Sequence, residues 1–113
     1  MHELSLATSL IELIEEEAVR QNFRRVRKVR LEIGALAEVE HEALRFGFEV
    51  AAEATRAAGA ELEILTPPGQ AWCLQCEHNV TITQYYDDCP QCQSHRLQVT
   101  SGRQFRLTEL EVE

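Results

Sequence analysis

Four cysteines pose the first chemical question. Cys73 and Cys76 form one Cys-x-x-Cys pair, Cys89 and Cys92 form a second, and no other cysteine occurs in the 113-residue chain. A Cys-x-x-Cys turn presents two thiolates on one side of a tight loop, so two such knuckles facing each other offer four sulfurs at the corners of a tetrahedron. That is the donor set of a structural zinc site. Iron held in a rubredoxin-like manner uses similar knuckles and stays open at this point, although zinc is the usual occupant of a four-thiolate tetrahedron. A closed four-sulfur shell has no open position, so the metal is read as structural and not catalytic. The stretch from 73 to 92 is too short to bury a core, and metal binding at such a site contributes on the order of 10 kcal/mol to folding. Two disulfides would satisfy the same count. The Met1-His2-Glu3 start carries no basic segment or apolar run, and no stretch could span a membrane, so a cytoplasmic chain with reduced thiols is expected.

A second group of donors stands at the amino terminus. The terminal amine of Met1, the backbone amides of His2 and Glu3 and the imidazole of His2 can close fused chelate rings on a single ion. Nitrogen-rich planar donors of that kind select Ni(II) or Cu(II) over zinc. The bulky second residue is expected to keep Met1 on the chain. Read alone, a histidine near a terminus is more often simply exposed.

The elements that must position these groups follow from periodicity. Ala7, Leu10, Ile11, Ile14 and Ala18 recur at helical spacing, with Leu6 and Leu13 widening the stripe, and predict a helix from residue 4 to about 21 ending near Asn22. Ser5 is its expected cap and Glu16 is expected to pair with Arg20, while Glu15-Glu16-Glu17 reads as a wet face. Alternation predicts a strand from about Val26 to Ile33, closed by Gly34 at a positive φ, with Val29, Leu31 and Ile33 inward. Residues 41 to 58 read as a second helix carrying Leu44, Phe48 and Ala51 on one stripe, with Gly47 at a close approach and Gly59 as its cap. Glu61 to Ile64 reads as a strand, and Thr66-Pro67-Pro68-Gly69 as a hinge into the cysteine module. Inside the module, Thr81-Ile82-Thr83 and Tyr85-Tyr86 are expected as short strands, with Trp72 as a lid over the cluster. Leu97 and Val99 share a parity, Gly102 turns the chain, and a last strand runs from Arg103 to Val112 with a register switch near Thr108.

These elements predict an α+β fold: a three-stranded mixed sheet covered by two helices on one face, with the four-cysteine zinc ribbon inserted before the last strand. Two units are expected, residues 1–68 completed by the carboxy-terminal strand 100–113, and the metal module 69–99. The net charge of −8 makes the chain a poor general ligand for phosphate backbones. The run Arg24-Arg25-Val26-Arg27-Lys28-Val29-Arg30 reads first as a solvated strand face and second as a dock for an acidic partner. A nucleic-acid-binding zinc ribbon using residues 24–30 is the competing reading, and an iron electron carrier the third. No nucleophile and base pairing, glycine-rich phosphate loop or open metal shell stands out, so the chain is not read as an enzyme.

Met1-His2-Glu3-Leu4-Ser5-Leu6, Leu31-Glu32-Ile33-Gly34, Phe46-Gly47-Phe48-Glu49 and the Cys73-x-x-Cys76 and Cys89-Pro90-x-Cys92 knuckles, in that order, resemble the HypA/HybF family of hydrogenase maturation nickel metallochaperones. The resemblance covers essentially the whole chain. It implies a cytoplasmic protein that binds Ni(II) as cargo through its amino terminus and passes it, with a HypB-like GTPase, to the large subunit of [NiFe]-hydrogenase; some members also serve urease maturation. Neither nucleic acid nor membrane is an implied partner, and the chain is expected as a monomer or homodimer. By the same resemblance His2 is the essential nickel ligand, with Glu3 adding its amide or carboxylate and the Met1 amine completing the terminus. Glu40 and His95 fall where the family carries further groups that reach toward nickel, and His78 where one could replace a thiolate. For Glu40 a helix amino-terminal carboxylate, and for His78 and His95 an exposed loop histidine, are the plainer readings. The four cysteines hold the structural Zn(II).

Overall fold

The fold was analysed in a computed structural model, which describes residues 2–113; the expectation for the Met1 amine lies outside the described residues. In chain order the elements are helix α1 (Glu3–Gln21), strand β1 (Val26–Ile33), helix α2 (His41–Ala52), and strands β2 (Glu61–Leu65), β3 (Gly69–Cys73), β4 (Asn79–Ile82), β5 (Leu97–Ser101) and β6 (Phe105–Val112). The chain divides into two compact units. One comprises residues 1–31, 39–63 and 107–113; the other comprises 32–38 and 64–106.

A three-stranded sheet of order β2-β1-β6 and the two helices give the α+β architecture its first part. At one end of β1 the Glu113 N–H donates to the Arg25 carbonyl and the Arg24 N–H to the Glu113 carbonyl, and at the other the Gly34 N–H donates to the Gln104 carbonyl, so β6 runs antiparallel to β1. Lys28 faces Glu61 and Arg30 faces Glu63, so β2 runs parallel to it. The sheet is therefore mixed, as the sequence predicts. In the first unit the apolar stripe of α1 packs into the core: Ala7, Leu10, Ile11, Ile14 and Ala18 are buried, together with Leu44 and Phe48 of α2 and Val26, Val29 and Leu31 of β1. Each of the larger side chains contributes about 1.5–3 kcal/mol by leaving water. Gly47 sits against α1, where an added Cβ would stand 3.4 Å from the Ala7 Cβ and 3.5 Å from the Leu4 Cα, an ordinary packing distance.

Several local expectations are corrected. Helix α1 starts two residues before Ser5, which lies inside it; His2 is the capping position and offers no side-chain cap bond. Asn22 does end the helix, in a left-handed conformation with φ 59°. Arg20 pairs with Glu17 instead of Glu16, and Glu15 is not merely wet: its carboxylate accepts the Arg56 N–H at 2.9 Å and binds the Arg56 guanidinium. That contact also explains why α2 stops at Ala52 and not at 58. The Thr55 hydroxyl donates to the Ala52 carbonyl, Ala54 turns left-handed with φ 62°, and Glu15 takes the next free N–H. Ala51 is only half-buried, Ala52 faces the core in its place, and Gly59 lies beyond the helix end in the following turn.

The second unit holds an antiparallel sheet of order β4-β3-β5. Strand β3 occupies the stretch read as hinge and lid, with Ala71 opposite Val80 and Val99, and Trp72 opposite Asn79 and Gln98. Alternation turns Ala71 and Cys73 inward and Trp72 to the opposite face, so Trp72 is no lid; the cluster packs instead on Leu36, Ala71, Val80 and Ile82. Leu97 and Val99 join it on one parity, as expected. Tyr85 and Tyr86 lie in a turn and not a strand, because the Asp87 carboxylate gathers the N–H groups of Thr83 and Gln84 and closes the chain on itself. In β6, partial burial falls on Phe105, Leu107 and then Leu110, which places the switch of parity around Thr108.

Gly34 has no positive φ. What requires glycine there is proximity, since a Cβ would lie 2.1 Å from the Gly102 carbonyl oxygen and 2.6 Å from Gln104 Oε1. Gly34→Ala is therefore expected to destabilise the protein by about 3 kcal/mol or more, because the obstacle is backbone and cannot rotate away. A denaturant midpoint unchanged from the parent would contradict this.

Candidate metal centres

The two knuckles are built alike. In the first, the Glu77 N–H donates to the Cys73 carbonyl at 2.9 Å and the Cys73 N–H to the His78 carbonyl at 3.0 Å; in the second, the Gln93 N–H donates to Cys89 at 2.8 Å and the Cys89 N–H to Ser94 at 2.9 Å. Glu77 and Gln93, at the same place in each loop, both adopt a left-handed backbone with φ 58° and 63°. Neither is glycine, so no residue type advertised the turn. The loops aim main-chain N–H groups at sulfur: Cys76 to Cys73 Sγ at 3.4 Å, Gln91 to Cys89 Sγ at 3.4 Å and Cys92 to Cys89 Sγ at 3.5 Å.

All four sulfurs lie within 4.8 Å of one another. Cys73 Sγ is 3.6 Å from Cys92 Sγ, and Cys76 Sγ is 3.8 Å from Cys89 Sγ. Metal–sulfur bonds of about 2.3 Å directed to a tetrahedron give edges of about 3.8 Å, so the donor type, number and spacing fit a zinc ion. The four cysteines are free thiols, with no disulfide among them. The Cys76 N–H leads the influences that hold the Cys73 thiol down at about 6, whereas burial pushes the Cys76 thiol up to about 12. Four neighbouring thiolates repel one another, so the set ionises completely only around a cation.

At the amino terminus, His2 is exposed and its carbonyl accepts the Leu6 N–H at 2.8 Å as the first bond of α1. The opening N–H groups of a helix have no partner within it, so a ligand there displaces no helical bond. Glu3 reaches across to α2: its carboxylate accepts the Glu40 N–H at 2.9 Å, and the Glu40 carboxylate in turn accepts the Glu42 N–H at 3.0 Å as the cap of α2. Glu3 and Glu40 are thus brought together, each carboxylate engaged by a main-chain N–H. His41 is the first residue of α2. Among the described residues, the four cysteines are the grouping of three or more His, Cys, Asp or Glu donors close enough to share an ion.

The Glu40 N–H, followed by its own N–H, holds the Glu3 carboxyl below the ordinary value of 4.5. A lowered folded value means that this contact stabilises the fold fully above 4.5 and is lost as pH falls through the lower value. In an NMR titration the Glu40 amide shift should therefore stay level through 4.5 and move only in more acid solution. A midpoint at or above the ordinary value would mean that the contact does not form.

Residues 1–112 match the family described as "Hydrogenase/urease nickel incorporation, metallochaperone, hypA". The chain belongs to the HypA family. Hydrogenase maturation factor HypA of Azotobacter vinelandii is 56% identical over 113 residues, the full length of both chains, and that of Acidithiobacillus ferrooxidans is 53% identical over the same span. The solution structure of the Ni metallochaperone HypA from Helicobacter pylori aligns with a TM-score of 0.68 at 29% identity, covering 99% of this chain and 97% of that one. A second HypA solution structure aligns with a TM-score of 0.71 at 29% identity, covering 100% of this chain and 97% of that one.

In this HypA-family chain the remaining nominated residues are solvent-facing. His95 is 85% exposed and its Nδ1 is bonded to the Asp88 carboxylate. The His78 side chain is exposed while its carbonyl serves the first knuckle. Much of the basic run is neutralised internally: Arg27 faces Glu113 at 3.6 Å, Lys28 faces Glu61 at 3.9 Å, and Arg30 binds both Glu63 and Glu109. That leaves little for a phosphate backbone, whose binding needs unneutralised Lys and Arg. Among the described residues no helix is long and apolar enough to cross a membrane.

Proposed function

We propose that this chain is a nickel carrier that binds Ni(II) at its amino terminus and delivers it, with a HypB-like GTPase, to the [NiFe]-hydrogenase large subunit. The observation that carries the reading is the match of residues 1–112 to a nickel-incorporation metallochaperone family. The chain begins Met-His-Glu, which offers the nitrogen donors that Ni(II) prefers. His2 supplies the imidazole and the amides of His2 and Glu3 the adjoining nitrogens, with the Met1 amine closing the chelate. Glu3 offers its amide or its carboxylate, and the Glu40 N–H, bonded to that carboxylate, serves by holding Glu3 in place. His95 is the candidate for a further donor. Cys73, Cys76, Cys89 and Cys92 hold a structural Zn(II). The setting is the cytoplasm, and urease maturation proteins are further clients.

A carrier must release what it binds. Donors gathered on the first few residues of one chain do this, since protonating His2 or moving those residues weakens every bond together. Calorimetry with nickel on protein bearing its native start, beside protein extended by two residues before Met1, tests the assignment. The extension converts the amine to an amide and is expected to remove tight binding while leaving zinc content unchanged. Equal affinity in both proteins would exclude the terminal amine as a ligand.

A further inference from the structure

The five cations of the run from 24 to 30 do not share one fate. Arg27, Lys28 and Arg30 each face a carboxylate, whereas Arg24 and Arg25 have none among the described residues and are exposed. In a chain of 19 carboxylates and 11 Lys and Arg residues, two adjacent arginines left without a counter-charge are conspicuous. Arg24, Arg25, Thr55, Arg56 and Ala58 line a pocket of about 210 Å³. Its walls are fixed by the main chain: the Arg24 N–H donates to the Glu113 carbonyl and the Val26 N–H to the Arg56 carbonyl, both at 2.9 Å. The Glu15 carboxylate neutralises Arg56, and the Thr55 hydroxyl is already engaged with Ala52 and Ala57.

We propose that this arginine pocket is a docking site for an acidic segment of a protein partner. A guanidinium fork matches a carboxylate in bidentate fashion, and prior fixing of the backbone lowers the ordering cost of binding. The volume is below the roughly 300 Å³ at which small-molecule pockets begin, a size that suits a carboxylate side chain. The field of the whole chain adds orientation. A net charge of −8 repels an acidic partner over most of the surface and leaves this spot as an attractive one.

The test uses the full chain with its zinc and an oligo-glutamate peptide, followed by amide and arginine NMR shifts at low salt, with an oligo-glutamine peptide and inorganic phosphate as controls. Oligo-glutamate is expected to perturb residues 24–25 and 55–58, to lose affinity about 10-fold or more at physiological ionic strength, and to lose those shifts in Arg24→Ala/Arg25→Ala. The double variant should keep the parent circular dichroism and nickel affinity, which separates this site from the amino-terminal one. Equal shifts with oligo-glutamine, shifts confined to other residues, or a response to phosphate without one to oligo-glutamate would each overturn the proposal.

Discussion

Cys73→Ala is expected to yield a protein that binds no zinc and has no folded β4-β3-β5 sheet. Cys73 is fully buried, contributes one of four sulfurs, and ends the central strand of that sheet. Its removal leaves three thiols and a cavity beneath Ala71 and Val80, and the apolar cluster around them is too small to fold alone. The energy at stake is on the order of 10 kcal/mol, the scale of metal binding by four-ligand sites. Metal analysis should show zinc well below one per chain. The amide spectrum should collapse for residues 69–101, while the helical circular dichroism of α1 and α2 persists. A variant that keeps one zinc and dispersed module resonances would defeat the assignment of the cysteines.

His2→Ala should do the opposite. It removes an exposed side chain that makes no cap bond to α1, so folding, thermal midpoint and zinc content are expected to match the parent. Nickel affinity should fall by about 100-fold or more, since even a partner outside the coordination sphere is commonly worth 10- to 100-fold. Calorimetry on untagged protein reads this directly. Unchanged affinity would move the cargo site away from the amino terminus.

The cysteine knuckles were legible because spacing alone determines where four sulfurs can meet. The stripe of α1 and the alternation of β1 were legible because each faces a core over many residues. Strand β3 was not, since Gly69 and Ala71 are small where an inward strand residue is usually large. The Leu36 side chain fills the space at Gly69, its Cδ1 standing 2.5 Å from where a Cβ would lie. The end of α2 was overrun for a related reason. Its continuation is rich in alanine, and what stops it is Glu15, 41 residues away in sequence from Arg56. The stitch from Glu3 to Glu40 spans 37 residues and leaves no local signature either. Sequence pattern located the four-cysteine centre, and long-range contacts decide how the described residues near the amino terminus are held.

The matched wiring of the two cysteine loops bears on how a bound ion would come and go. Each loop grips with its own pair of sulfurs through the same set of main-chain bonds, and neither depends on the other for its internal hydrogen bonds. One hairpin can therefore part while its twin stays closed, so an ion held by all four sulfurs would sit in two separate clasps and not in a single one.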